Sequence, residues 1–292
     1  MTSKNKVSDN KAVRKKAGPL QTLWLSIASG VLIFNTCMHA LTRSLFGKVT
    51  RPWVDARMQF WTAQILKLWR ITCTVHNPQN IHPQPGQPTI LMCNHSSLFD
   101  IPVCYAAFPD ISLRMLAKKE MSKLPFMGRA MKASEFPFVD RKNRRQAIRD
   151  LKAIHDLLET GIVMWIAPEG TRSPDRHVGP FKKGGFITAI QTQAVIIPIG
   201  IRGASEILPA RTRDCYLNQS AEIHIGEPID ATQFTMDTKE ALIHQTREAI
   251  KALAGDDAPK IIFYLMPQPQ PQVQIVRHRP LRLKFHAPMS MK

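Results

Sequence analysis

The sequence predicts an α/β fold with a mostly parallel central sheet flanked by helices and an N-terminal membrane-associated helical segment. Three observations predict it. From Ile71 onward, short apolar runs alternate with stretches of helical periodicity, the pattern of strand–helix–strand units. Residues 18–42 carry no charged side chain, and roughly 20 apolar residues are enough to cross a bilayer. The strand-like run Thr89–Cys93 leads into Asn94-His95-Ser96-Ser97-Leu98-Phe99-Asp100, at the kind of strand end where parallel sheets gather their sites.

The chain divides into four parts. Residues 1–19 form a basic tail with Lys4, Lys6, Lys11, Arg14, Lys15 and Lys16, suited to an anionic lipid surface. Residues 20–70 form the membrane-associated helices. Leu20, Leu23, Trp24, Leu25, Ile27, Val31, Phe34 and Leu41 make the first helix apolar, while Gln21, Asn35 and His39 interrupt it. Basic residues flank it on both sides, so their distribution gives no orientation; spanning and embedding both stand open. Val54, Met58, Trp61, Ile65 and Leu68 then recur at helical spacing with Arg57, Lys67 and Arg70 beside them, an amphipathic helix that lies on a membrane or packs on the core.

Residues 71–255 form the globular domain, with strands expected at 71–75, 89–93, 113–117, 136–139, 162–166, 195–201 and 221–225. Helices are expected at 146–158, stopping at Gly161, and at 238–254, stopping at Gly255. Residues 256–292 form a basic tail with Pro-Gln alternation from Pro267 to Gln272. It lies loosely on the membrane or adds a strand through Leu281, Leu283 and Phe285.

With 40 Lys and Arg against 22 Asp and Glu in 292 residues, the net charge is +18, so an anionic partner is expected. No nucleic-acid-binding module is recognisable, which leaves a membrane surface or a phosphorylated substrate. The five cysteines are odd in number and lack a Cys-x-x-Cys pair, which argues against a disulfide framework and fits a reducing compartment. The histidines other than His95 show no ligand cluster in sequence, so no metal and no cofactor is expected.

His95 and Asp100 are a candidate general-base pair, set against the plainer reading that a His and an Asp five apart occur by chance. Five residues along one continuous helix correspond to roughly 500°, leaving the two side chains about 140° apart. They meet if the helix starts between them, with Ser96 or Ser97 as N-cap and Asp100 in the first turn. An acid on one ring nitrogen then fixes the tautomer, and the other nitrogen is a general base. The same helix start offers backbone N–H groups to a developing oxyanion.

Three further blocks follow in order: Ala117-Lys118-Lys119 leading to Phe136-Pro137-Phe138-Val139-Asp140-Arg141; Pro168-Glu169-Gly170-Thr171-Arg172-Ser173; and Ile197-Pro198-Ile199. With the His95 block they resemble the signatures of the glycerolipid acyltransferase family, whose best-known members are the 1-acylglycerol-3-phosphate acyltransferases. The resemblance covers residues 53–230. It implies that His95 takes the proton of an acceptor hydroxyl and Asp100 orients it. Arg141, Glu169, Gly170, Thr171 and Arg172 would bind the glycerol phosphate head, with Lys118 or Lys119 nearby. The reaction implied moves an acyl group from a thioester, on acyl-CoA or acyl carrier protein, to lysophosphatidate, giving phosphatidate in phospholipid synthesis. Glycerol 3-phosphate or another lysophospholipid is the alternative acceptor, and a non-catalytic binder of anionic lipid or nucleic acid is the alternative class. The implied location is the cytoplasmic face of a bacterial inner membrane. Direct transfer needs no acyl-enzyme, and Cys93 reads as a small buried hydrophobe.

Overall fold

The computed structural model describes residues 15–140 and 144–256. Arg141 and most of the two terminal tails expected at 1–19 and 256–292 therefore lie outside the described residues. The first half contains α1 (Pro19–Ser44), α2 (Arg51–Trp69), β1 (Thr72–His76), β2 (Thr89–Cys93), α3 (Asp100–Ala107), β3 (Leu113–Met115), β4 (Ala117–Lys118), α4 (Met127–Ala133) and β5 (Phe138–Val139). The second contains α5 (Arg144–Glu159), β6 (Val163–Ile166), α6 (Gly184–Gln191), β7 (Val195–Arg202), α7 (Ala204–Ile207), β8 (Ser220–Ile225), β9 (Ile229–Asp230) and α8 (Lys239–Ala254).

The central sheet runs β1-β8-β7-β2-β6-β3, with β9 also paired to β7. Strands β7, β2, β6 and β3 are parallel; β1 and β8 are parallel to each other and antiparallel to β7. The expected mostly parallel sheet is thus present. Two expected strands are cut short. The run 113–117 divides into β3 and β4, and only Phe138 and Val139 of 136–139 are extended, pairing with β4 in a separate two-stranded sheet. Phe136 instead closes α4: Glu135 takes a left-handed φ of 62° and the Phe136 N–H returns to the Met131 carbonyl at 3.0 Å.

Alternation along the strands sorts the core into two layers. Leu91, Cys93, Trp165, Ile197, Ile199 and Ile223 face the side of α2 and α3. Ile90, Met92, Met164, Ile166 and Ile196 face the other side, against Ile154, Phe186, Leu242 and Ile250 from α5, α6 and α8. Pro198 sits inside β7 without breaking it. Its carbonyl accepts the Gly226 N–H at 2.9 Å between the end of β8 and the start of β9. A strand residue's N and C=O point the same way, so its missing donor faces that gap.

Among the described residues, α1 is the one helix long and apolar enough to cross a membrane by length and composition. It is docked on the domain: Leu25 is fully buried, Trp69 of α2 donates to Ser29 Oγ at 3.0 Å, and Phe34 meets Phe126 edge-on at 5.8 Å. Leu20, Leu23, Trp24, Ile27 and Val31 remain exposed. For α2 the core-packing alternative is realised, since Val54, Ile65, Leu66 and Trp69 are buried.

Candidate active site

His95 follows the fully buried strand β2 and lies beside Trp165, its ring edge-on at 5.7 Å. Its Nδ1 is 2.7 Å from Asp100 Oδ2, and the carboxylate is completely buried while the imidazole keeps 16% of its surface exposed. The expected pairing is present, but the local reason differs from the one the sequence suggests. Helix α3 begins at Asp100 with Phe99 as N-cap, so neither Ser96 nor Ser97 caps it. Instead Asp100 Oδ2 reaches back and accepts the N–H groups of Ser96 at 2.8 Å and Ser97 at 2.9 Å. Ser97 Oγ donates to the Leu208 carbonyl and accepts the Phe99 N–H. One carboxylate oxygen thus closes the turn and receives the imidazole, while Oδ1 is buried without a partner. The amides of Ser96, Ser97 and Phe99 are committed to this turn, which removes them as the oxyanion donors expected from sequence.

The Pro168-to-Ser173 turn is fastened to His95 at both of its backbone polar groups. Glu169 Oε1 accepts the His95 N–H at 2.9 Å, and Ser173 N–H donates to the His95 carbonyl at 2.7 Å. Gly170 takes a φ of 76°, which favours glycine, and donates its N–H to Ala167 at 3.0 Å. Arg172 is half-buried next to the Ser173 anchor, and Thr171 is exposed. Glu169, expected on the head group, has its carboxylate turned inward: Oε2 accepts the Gly179 N–H at 3.0 Å. Burial pushes its pKa up, and the two backbone N–H groups pull it back.

Lys119 is held by Asp140 at 2.9 Å, and Lys118 is exposed on β4. The pairing of β4 with β5 brings the lysine pair to the end of β5 at Asp140. Cys93 is buried and burial holds its thiol well above the usual range, consistent with a structural hydrophobe.

One grouping is missed by the sequence, which shows no ligand cluster among the remaining histidines. Strand pairing sets His76 opposite His224, beside Glu222, with their ligand atoms within 4.8 Å of one another. The partners are far apart in the chain, and only the β1–β8 register joins them.

A buried aspartate holding a histidine at the carboxyl end of a central strand is an arrangement that can act as a general base. A family model described as Acyltransferase matches residues 72–202 of this chain. The crystal structure of PlsC, the 1-acyl-sn-glycerophosphate (LPA) acyltransferase of Thermotoga maritima, is similar with a TM-score of 0.67 and 25% identity, covering 81% of this chain and 94% of that one. The 1-acyl-sn-glycerol-3-phosphate acyltransferase of Saccharomyces cerevisiae is 32% identical over 158 residues, 52% of this chain and 50% of that protein. The chloroplastic 1-acyl-sn-glycerol-3-phosphate acyltransferase of Arabidopsis thaliana is 28% identical over 151 residues, 52% of this chain and 42% of that protein. The chain therefore spans about half the length of these two relatives.

Proposed function

We propose that the protein is a membrane-associated acyltransferase that moves a fatty acyl group from a thioester to the free hydroxyl of lysophosphatidate, giving phosphatidate. The observation that carries this reading is the 2.7 Å contact of His95 Nδ1 with Asp100 Oδ2, next to a turn that brings Arg172 alongside. The activity named for the Thermotoga, yeast and Arabidopsis relatives supports the choice of acceptor.

Asp100 keeps the proton on Nδ1, so the Nε2 of His95 takes the acceptor's hydroxyl proton as its oxygen attacks the thioester carbonyl. The tetrahedral intermediate collapses with cleavage of the C–S bond, and the imidazolium proton passes to the departing thiolate. Arg172 and Arg141 hold the phosphate bidentately, with Lys118, Lys119, Gly170 and Thr171 around them. Glu169 braces the site instead of touching the head group, because both its oxygens already accept backbone N–H groups.

The exposed apolar side of α1 embeds in one leaflet, a reading supported by the docking of the same helix on the domain through Leu25. The net charge of +18 favours an anionic leaflet. We place the protein at the cytoplasmic face of a bacterial inner membrane, where both acyl-CoA and acyl carrier protein are available as donors.

The test is phosphatidate formation from lysophosphatidate by membranes containing the wild type, His95→Ala or Arg172→Ala, with acyl-CoA and acyl carrier protein as separate donor arms. His95→Ala is expected to fall to the empty-vector level. Arg172→Ala is expected to raise the acceptor KM about 10- to 100-fold, the loss of a charge-assisted contact of roughly 1.5–3 kcal/mol. Full activity in His95→Ala would reject the mechanism, and no phosphatidate with either donor would reject the acceptor.

A further inference from the structure

The pairing of β1 with β8 puts His76, the last residue of β1, directly opposite His224, with Glu222 two residues earlier in β8. The two imidazoles stack at 4.3 Å between centroids and 8° between planes. Both Nε2 atoms converge on Glu222 Oε2, at 3.1 Å from His224 and 3.7 Å from His76. The Nε2 of His76 is sealed from solvent and has no hydrogen-bond partner, so stacking leaves a polar atom unsatisfied within reach of two other ligand types.

The two distances to Glu222 Oε2 approach those of a metal site, and binding would turn the two imidazoles out of their parallel stack so that both Nε2 lone pairs point at the ion. Ligands about 2.0–2.2 Å from a tetrahedral zinc stand roughly 3.3–3.5 Å from one another, and the observed 3.1 Å and 3.7 Å bracket that spacing. Arg202 is the register partner of Glu222, yet its guanidinium is turned to the Leu253 carbonyl at the end of α8 at 2.8 Å. The carboxylate is therefore not neutralised by a direct ion pair with that arginine. Glu222 and His76 keep 45% and 35% of their side-chain surface exposed, which gives an ion a way in.

We propose that His76, Glu222 and His224 bind one divalent transition-metal ion of the zinc class, through two imidazole nitrogens and one carboxylate oxygen, with the remaining position left to water. The ion clamps the edge strand β1 to β8. Because β1 follows α2 after a short link, the clamp also fixes the helical hairpin to the sheet. It acts apart from the proton chemistry. Ala221, Ile223 and Ile225 point into the layer that contains Cys93 and Trp165, so the alternating Glu222 and His224 face the opposite side of the sheet.

The experiment uses the tag-free full chain in detergent, stripped with chelator and titrated with Co²⁺ followed by Zn²⁺. The wild type is expected to bind one equivalent of Co²⁺ with visible d–d absorption, to release it to Zn²⁺, and to gain thermal stability from Zn²⁺. His76→Gln and His224→Gln are expected to lose affinity by at least about tenfold and to lose the Zn²⁺-dependent rise in Tm. Should either variant fail to fold, Glu222→Gln, altered at a half-exposed side chain outside the core, is expected to show the same loss. A wild type that takes up no Co²⁺ overturns the proposal whatever the variants do, as does equal uptake by the wild type and the folded variants.

Discussion

Glu169 accepts the backbone N–H of His95 at 2.9 Å and that of Gly179 at 3.0 Å from a position only 7% exposed. One buried carboxylate thereby sets both the strand end that presents the imidazole and the far side of the loop that carries Arg172. Ser173 completes the lock by donating to the His95 carbonyl. The peptide of His95 is held from both polar groups by the same turn, so the imidazole and Arg172 are registered against each other through the Glu169 carboxylate and the Ser173 backbone.

Replacing Glu169 by Ala strands two amide donors, at about 1–3 kcal/mol for each one left unsatisfied. Its unfolding free energy is expected to fall by roughly 2 kcal/mol or more, with a drop in kcat because the His95 peptide loosens. Glu169→Gln keeps one acceptor but points an amide NH₂ at the other donor, so its loss should be intermediate. Denaturant unfolding and steady-state kinetics on the same preparations check this. Wild-type stability in Glu169→Ala would remove the bracing role.

Asp100→Asn keeps the shape that closes the Ser96–Ser97 turn but removes the negative charge opposite the imidazolium. Its kcat is expected to fall about 100-fold or more, with little change in the lysophosphatidate KM, because the carboxylate is fully buried behind His95. A raised KM at unchanged kcat would take Asp100 out of the proton chemistry.

The sheet and the histidine–aspartate pair were legible in the sequence because strand periodicity and a strand-end His-x4-Asp are local signals. What governs their exact setting was not. Asp100 caps the turn behind it, where local propensity favours Ser96 and Ser97 as caps, because a charged acceptor collects two amides and an imidazole at once. The inward turn of Glu169 depends on Gly179 and His95, residues brought together only by β2 and β6 pairing side by side. The truncation of the strand at 136–139 follows from the left-handed Glu135, a conformation that glutamate rarely advertises. The His76–His224 pair has no sequence signature, since parallel pairing of distant strands creates it.

Docking of α1 on the domain changes how membrane binding is best tested. Deleting residues 1–42 would also remove Leu25 from the core, confusing anchorage with stability. Replacing the exposed Leu23, Trp24 and Ile27 by Ser together leaves that contact in place. Partition to anionic vesicles is expected to fall by at least about tenfold, since each such side chain contributes roughly 1.5–3 kcal/mol when fully buried. The Tm should stay near that of the wild type. Undiminished vesicle binding would move the anchor elsewhere on the chain.

The loop after Arg172 is tied to the end of α8 by a pH-sensitive contact. His177 Nδ1 lies 2.5 Å from Asp256 Oδ1, and the Val178 N–H donates to Asp256 Oδ2 at 2.8 Å. The hydrogen bond to Asp256 raises the pKa of His177. Burial alone would raise that of Asp256, but Val178 and His177 bring it below the usual carboxylate range. The histidine's contribution is therefore complete below its ordinary value of about 6.5 and is lost as pH rises through the raised folded-state value. The aspartate's is complete above about 3.9 and is lost as pH falls through its lowered value. Both act together between about pH 4 and 6.5. His177→Gln should accordingly lower Tm relative to the wild type near about pH 5.5, with the difference vanishing near about pH 9, where the imidazole, like the glutamine that replaces it, carries no charge. Thermal melts of the two proteins across that range check the sign, and an equal Tm difference at both ends would dissolve the link between this ion pair and the loop.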